Sequence, residues 1–306
     1  MKPFRDVRHV DSFRITLSAP DDFDGWRDSA RRMICADIPP DRVTWESPVD
    51  QTADLFAQRS SSLPSPPAGA PQPRVSRGFL QLAQSVILHT DKTRFSLLYS
   101  TLWRLQSRPR LMDDKADSDV RQMENLARQV RRDIHKMRAF VRFRALEDAD
   151  GTRFVAWFEP EQHIVRANAG FFTRRFTTMR WTILTPRGTL HWDGDTLQEG
   201  PPATRDDAPS GDPVEALWRG YYASIFNPAR LKIGAMLKEM PRKYWKNMPE
   251  AALIPGLIAG AQAREAQMVK AGEQDFGERP KSLKAVSDAL LACRRCEIGC
   301  NGTRSV

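Results

Sequence analysis

The chain has 306 residues, of which 41% are hydrophobic and 28% are charged, with a mean hydropathy of −0.53. This composition excludes a wholly disordered chain, and no run of 18 apolar residues is present, which excludes a membrane-spanning helix. The formal net charge is +9 and the isoelectric point is about 9.6, which favours a polyanionic partner such as DNA. The first residues carry no hydrophobic signal segment, so a cytoplasmic location is expected.

The first 200 residues begin with a predicted strand and helix. Phe13–Leu17 alternates as a short strand, and Trp26–Ile34 has the apolar spacing of a helix that the preceding aspartates can cap. A stretch at about 59–74 is rich in Pro and Ser, a composition that cannot bury a core. We interpret it as an insertion within the domain.

Three helices and a small sheet are predicted next. Between Val75 and Met137 the apolar residues recur at helical spacing in three segments. Four strands follow, paired as two hairpins with one helix between them, which gives a β-β-α-β-β block. The strands are predicted at 140–146, 154–158, 180–186 and 189–192, and the helix at 161–176.

Helices dominate the remaining chain. A Pro- and Gly-rich link over 200–213 precedes three predicted helices at 213–226, 228–239 and 250–271, and Ser282 caps a further helix that leads to Cys293. The predicted fold class is therefore α+β. Its domains are a body over 1–200, a helical segment over 213–272 and a short C-terminal piece over 282–306.

Three of the four cysteines lie close together near the C-terminus. Cys293 and Cys296 have the C-x-x-C spacing that aims two thiolates at one metal or cluster iron, and Cys300 follows. Cys35 is far away in sequence and is predicted to be a buried apolar thiol. The spacing alone does not name the metal.

The segment around these cysteines resembles the start of the iron-sulfur uracil-DNA glycosylases. Leu290–Cys296, Thr303 and Val306 carry the resemblance. It implies that Cys293 and Cys296 are the first two ligands of a 4Fe-4S cluster, which three thiolates leave incomplete in this chain. It also implies that the catalytic loop and two further cysteines lie beyond Val306, so the chain alone is expected to be inactive as a glycosylase.

Nearly the whole chain, from about residue 10 to 275, resembles an uncharacterised bacterial DNA-metabolism family. Members occur alone beside a radical-SAM protein or fused ahead of an X-type, uracil-binding, uracil-DNA glycosylase domain. Gln162 departs from the family, whose members often have a His there. The matching blocks are His89–Phe95, Leu98–Leu105, Val130–Met137, Phe154–Glu161, Tyr221–Arg230 and Pro241–Asn247.

Several basic clusters are candidates for DNA binding. Arg131, Arg132 and Lys136 lie with His135 at one end of a predicted helix, where they either hold phosphates or stabilise the helix C-terminus. Arg174 and Arg175 alternate with aromatic residues, which either stack on bases or pack in the core. Arg242 and Lys243 lie beside Tyr244 and Trp245, in a set that binds either DNA or a neighbouring domain.

A second hypothesis places an acid-base or metal site in the body of the chain. Glu159, Glu161 and His163 alternate along a segment to which His135 can be close. The alternative is a helix start at which Glu161 is favoured by the helix dipole. No Walker loop, dinucleotide-binding glycine motif, G-x-S-x-G or H-E-x-x-H is present.

Together these observations predict the N-terminal part of a bacterial DNA-repair protein that binds DNA and lacks the glycosylase site in this chain. Two alternatives remain open. One is a nucleic-acid-processing enzyme that uses Glu159, Glu161, His135 and His163. The other is an interaction scaffold for a radical-SAM protein or a fused glycosylase domain.

Overall fold

The computed structural model describes residues 12–48, 72–148, 151–208, 232–260 and 281–292, with five further helical residues at 263, 266, 267, 269 and 270. The chain divides into two compact units. Unit 1 comprises residues 1–215 and 246–248, and unit 2 comprises residues 216–245 and 249–306. The described secondary structure is mixed α and β, which confirms the predicted α+β class.

Unit 1 opens with two parallel strands joined through a helix. β1 (Phe13–Thr16) pairs in parallel with β2 (Val43–Glu46), and α1 (Phe23–Cys35) lies between them in sequence. The Asp22 side chain caps α1 by accepting a hydrogen bond from the Gly25 amide at 2.8 Å, as the aspartates before the helix predicted. The predicted insertion at 59–74 falls almost entirely outside the described residues.

Three helices complete the first core of unit 1. They are α2 (Arg77–Ile87), α3 (Arg94–Ser107) and α4 (Ser118–Phe140), and they confirm the three helices predicted from apolar spacing. Their buried faces meet α1 and β2 around Trp26, Phe79 and Tyr99, each at most 1% exposed. Burial of these large side chains is the main source of stability in this half of the unit.

A five-stranded sheet forms the other half of unit 1. The strands are β3 (Arg144–Asp148), β4 (Gly151–Trp157), β5 (Trp181–Thr185), β6 (Gly188–Trp192) and β7 (Leu197–Gly200), in that spatial order. β4 and β5 are parallel and are connected by α5 (Val165–Arg175), whereas the other neighbours are antiparallel. Both predicted hairpins are present.

Two of the boundaries that differ from the predictions have a clear physical reason, and one strand was not predicted. β3 begins at Arg144 because α4 continues through Phe140. α5 begins at Val165, four residues later than predicted, because the amides of Gln162 and His163 donate to Asp133 and to the Leu88 carbonyl. β7 was not predicted; Asp193 and Gly194, with φ at +110°, form the turn that directs the chain back along β6.

The described part of unit 2 is helical. α6 (Ile233–Glu239) and α7 (Ile254–Ala259) lie within two of the predicted helices. α8 (Leu283–Ala292) begins where Ser282 accepts a hydrogen bond from the Ala285 amide at 3.2 Å, as predicted. In the described residues no helix combines the length and apolar character needed to cross a membrane.

Candidate nucleic-acid interface and an adjoining cavity

The C-terminal half of α4 exposes a strongly basic surface. Between residues 125 and 140 the sole acidic residue is Asp133, and its side chain is turned inward, with the residue only 3% exposed. Arg128 and Arg132 are one turn apart on the same exposed stripe. The exposed arginines of this half-helix are Arg128, Arg131, Arg132 and Arg138.

Arg138 joins this surface to α5. Its Nε donates to Oδ1 of the buried Asn168 at 2.8 Å, and its guanidinium carbon lies 4.8 Å from the centre of the Phe171 ring. Arg174 and Arg175 follow Phe171 within about one turn of α5 and are exposed. We name as the cationic face the residues Arg128, Arg131, Arg132, Arg138, Arg174 and Arg175.

The basic residues predicted on α4 and α5 differ in their exposure to solvent. Arg131, Arg132, Arg174 and Arg175 are exposed on the cationic face, and His135 is exposed on α4. Lys136 is only 4% exposed, and its Nζ lies 5.7 Å from the centre of the Phe140 ring. Lys136 lies one turn after Arg132 but is buried, so it is not part of the exposed basic surface.

The aromatic residues near Arg174 mainly serve the core. Phe172 and Trp181 are 1% and 0% exposed, and their ring centres are 6.1 Å apart. Phe171 and Phe176 are half-buried, and Phe176 packs edge-on against Phe143 at 5.2 Å. Phe172 and Trp181 therefore pack in the core, which is the second of the two interpretations given above. Phe171 and Phe176 retain accessible ring surface.

Arg242 and Lys243 lie in unit 2, on the short 3-10 segment Arg242–Asn247. Both are exposed. The guanidinium carbon of Arg242 lies 5.8 Å from the Trp245 ring centre, and Nζ of Lys243 lies 4.8 Å from that of Tyr244. These cation-aromatic contacts hold the two side chains along the segment.

Glu159 of the proposed acid-base set has a structural partner. Its carboxylate accepts hydrogen bonds from Lys246 Nζ at 2.6 and 2.8 Å and from Trp157 Nε1 at 2.9 Å. Burial raises the pKa of Glu159, but these hydrogen bonds outweigh burial and lower the pKa below its ordinary value. A carboxylate held in its ionised form by a lysine is a weak proton acceptor at neutral pH.

The other members of that set are not gathered around Glu159. Glu161 and His135 are exposed, and His163 is half-buried and lines a separate cavity. Within the described ranges, no three His, Cys, Asp or Glu side chains are grouped so as to hold a metal ion. Cys293 and Cys296, the predicted metal ligands, lie outside the described residues, and Cys35 is half-buried.

The cavity has a volume of about 160 Å³ and is lined by the first turn of α5, the start of β6 and the end of β7. Arg166 crosses one side of it, with Nη1 2.9 Å from Oδ1 of Asp21 and Nη2 2.7 Å from Oε2 of Glu199. The hydrogen bonds that Arg166 donates to Glu199 raise the pKa of Arg166, although burial opposes this change. The two carboxylates therefore share one guanidinium, and this group of three side chains carries one net negative charge.

Arg187 forms the opposite side of the cavity. Its Nε and Nη2 donate to the carbonyls of Pro160 and Glu161 at 3.1 and 3.0 Å, and Nη1 lies 3.5 Å from Nδ1 of His163. Burial lowers the pKa of Arg187, and the charge of Asp133 partly opposes that change. Arg187 thus fixes the segment between β4 and α5.

Sequence analysis missed the four charged residues of this cavity: Asp21, Arg166, Arg187 and Glu199. One sequence feature does point to them. Arg166 lies in the first turn of α5, where the helix dipole disfavours positive charge. The same turn contains no acidic residue that could pair with it. An arginine in that position indicates carboxylates brought in from elsewhere in the chain.

The fold and the site define an α+β protein with a basic surface on two packed helices and a small charged cavity at a strand edge. The profile of the family described as "Domain of unknown function (DUF4130)" matches residues 92–250, and the chain belongs to this family. Comparison with curated proteins gives no match, and neither does comparison with solved structures.

Proposed function

We propose that this protein binds nucleic acid through the cationic face by contacting backbone phosphates without strong sequence preference. The observation that carries the proposal is the concentration of six exposed arginines on α4 and α5 over stretches with no exposed carboxylate. A guanidinium donates two parallel hydrogen bonds to a phosphate, which suits arginine for this contact.

The dimensions of α4 support phosphate contacts. Arg128 and Arg138 are ten residues apart, so they span about 15 Å along the helix axis at about 1.5 Å per residue. The contact of Arg138 with Phe171 continues the charge onto α5. If all six arginines contact phosphates, log K should fall with log salt with a slope of about −4 to −5.

The experiment is fluorescence anisotropy with labelled single- and double-stranded DNA between low and moderate salt. The test variant replaces Arg128, Arg131 and Arg132 by Gln. The control variant replaces Arg27, Arg108 and Arg110 by Gln, which removes the same charge; two of these arginines are paired with carboxylates on other surfaces. We expect the test variant to bind at least about tenfold more weakly with a slope shallower by about 2 to 3.

The control variant should keep nearly the wild-type slope. Absence of wild-type binding at low salt would contradict the proposal. Equal slopes for the test variant and the wild type would also contradict it. Replacing Arg174 and Arg175 by Gln asks separately whether α5 belongs to the interface.

We further propose that the protein works in bacterial uracil-DNA repair, ahead of an iron-sulfur glycosylase domain or beside a radical-SAM protein. The support is the resemblance over Leu290–Cys296, whose first three residues lie in the helix α8. The chain should bind uracil-containing DNA without releasing uracil, because the resembling family places its catalytic loop beyond the motif. Uracil release by the purified chain would contradict this.

A further inference from the structure

The cavity lies beside the first turn of α5, at the edge of the sheet where β5 and β7 end and β6 begins. In open α/β arrangements, ligands bind beyond the carboxyl ends of parallel strands, next to the helix that follows the first strand. Here that helix is α5, and its first turn, at Val165 and Arg166, lines the cavity. The N-terminus of α5 has no side-chain cap and no acidic residue in its first turn.

A buried hydroxyl group opens into the same cavity. Thr189 lines it and is only 8% exposed, and among the described residues its Oγ1 makes no hydrogen bond. Gly200 lies opposite Thr189 on β7. A Cβ atom on Gly200 would lie 2.3 Å from Oγ1 of Thr189, so the glycine leaves the space that the hydroxyl occupies.

The charges around the cavity are not balanced equally on its two sides. Asp21 and Glu199 share the single positive charge of Arg166, so this side of the cavity keeps one net negative charge. Arg187 donates to two neutral carbonyls, and in the described part of the chain no carboxylate lies within ion-pair distance of it. The charge of Asp133 acts on Arg187 from beyond that distance, and the guanidinium keeps N–H donors for an anion with several acceptor oxygens.

From these observations we propose that the cavity binds a phosphate monoester. Arg187 supplies the positive charge, the Thr189 hydroxyl donates a hydrogen bond, and the uncapped start of α5 contributes its positive dipole end. The ligand is either a small phosphorylated molecule or the terminal phosphate of a nucleic acid. None of these residues belongs to the cationic face, so this proposal does not depend on the one above.

Isothermal titration calorimetry of the full chain with inorganic phosphate, at constant ionic strength, tests the site. The test variants are Arg187→Gln and Thr189→Val, and the controls are Arg153→Gln and Thr173→Val, whose side chains do not line the cavity. We expect saturable binding by the wild type and both controls, at least tenfold weaker binding by Arg187→Gln, and threefold to tenfold weaker binding by Thr189→Val.

Thr189→Val keeps the shape of the side chain, so it tests the site even if Arg187→Gln fails to fold. No saturable binding by the wild type, or wild-type affinity in Thr189→Val, overturns the proposal. A nucleoside 5′-monophosphate and a pair of oligonucleotides, one with a 5′-phosphate and one with a 5′-hydroxyl, distinguish the sources. An Arg187-dependent preference for the phosphorylated oligonucleotide identifies a nucleic-acid end, whereas binding of the mononucleotide without that preference identifies a free phosphorylated molecule.

Discussion

The carboxylate of Asp133 on α4 accepts a hydrogen bond of 2.8 Å from the backbone amide of Gln162, in the segment between β4 and α5. Both residues are buried, at 3% and 5% exposure. The Gln162 side chain in turn accepts from the amide and the hydroxyl of Thr90 at 2.9 and 3.2 Å. These hydrogen bonds connect the three-helix core to the segment between β4 and α5. The same segment carries His163 and accepts hydrogen bonds from Arg187.

Asp133→Ala should therefore destabilise unit 1. The substitution leaves the buried amide of Gln162 without its acceptor, which costs about 1–3 kcal/mol. Asp133→Asn retains an oxygen acceptor and should cost less. Urea unfolding followed by circular dichroism measures both, with Asp206→Ala at an exposed position as the control. A value for Asp133→Ala equal to that of Asp206→Ala would count against the role given to Asp133.

Gly200→Ala should also lower stability, because the new methyl group would lie 2.3 Å from Oγ1 of Thr189. Overpacking of this kind costs about 1–3 kcal/mol. The double variant Gly200→Ala with Thr189→Ala removes the clashing atom and leaves the Thr189 Cβ at 3.7 Å, an ordinary contact. A double-mutant cycle by thermal unfolding should show that the two substitutions together cost less than their sum; additive costs would be the opposite result.

Acid should weaken the start of α4 through Asp117. The hydrogen bond from Arg104 lowers the pKa of Asp117, which also caps α4 by accepting from the amides of Asp119 and Val120. Because the folded-state pKa is depressed, its contribution is fully present above the unfolded value of about 3.9 and is lost as the pH falls through the folded value.

Asp117→Asn isolates this effect, because Asn is as good an N-cap as Asp but cannot ionise. Unfolding free energies measured from pH 6 down to pH 3 should fall less steeply below about pH 4 in the variant than in the wild type. Curves of the same steepness in that range would show that Asp117 does not contribute to the acid sensitivity.

His191 should titrate below the ordinary histidine value of about 6.5. Burial is the main reason that its pKa is lowered, and the charge of Arg153 adds to it. The ring Nδ1 lies 2.7 Å from Oγ1 of Thr182 on the neighbouring strand. The resulting stabilisation is present above about pH 6.5 and is lost as the pH falls through the folded-state value.

NMR titration of the His191 ring protons measures this pKa directly. Arg153→Gln should raise the pKa but leave it below about 6.5, since burial remains. Arg27→Gln, at a distant exposed position, should leave it unchanged. A wild-type pKa at or above the ordinary histidine value is the result that excludes this account.

The regular spacing of apolar residues in the sequence determined most of the secondary structure. In α4, Val120, Met123, Ala127 and Val130 recur at helical spacing and are all 0% exposed. The turns at Asp148–Gly151 and Pro186–Gly188 marked both hairpins, because their residues favour tight turns. The net charge, likewise, indicated a basic protein before any surface was known.

Tertiary contacts decided what periodicity does not encode. Lys136 and Arg132 carry the same charge four residues apart, but the packing of α4 buries Lys136 and exposes Arg132. The cavity unites Asp21 with Glu199 through Arg166, across 178 residues of sequence between the two carboxylates. Such groupings depend on which strand edges meet in space, and long-range pairing leaves no local pattern for residue spacing to reveal.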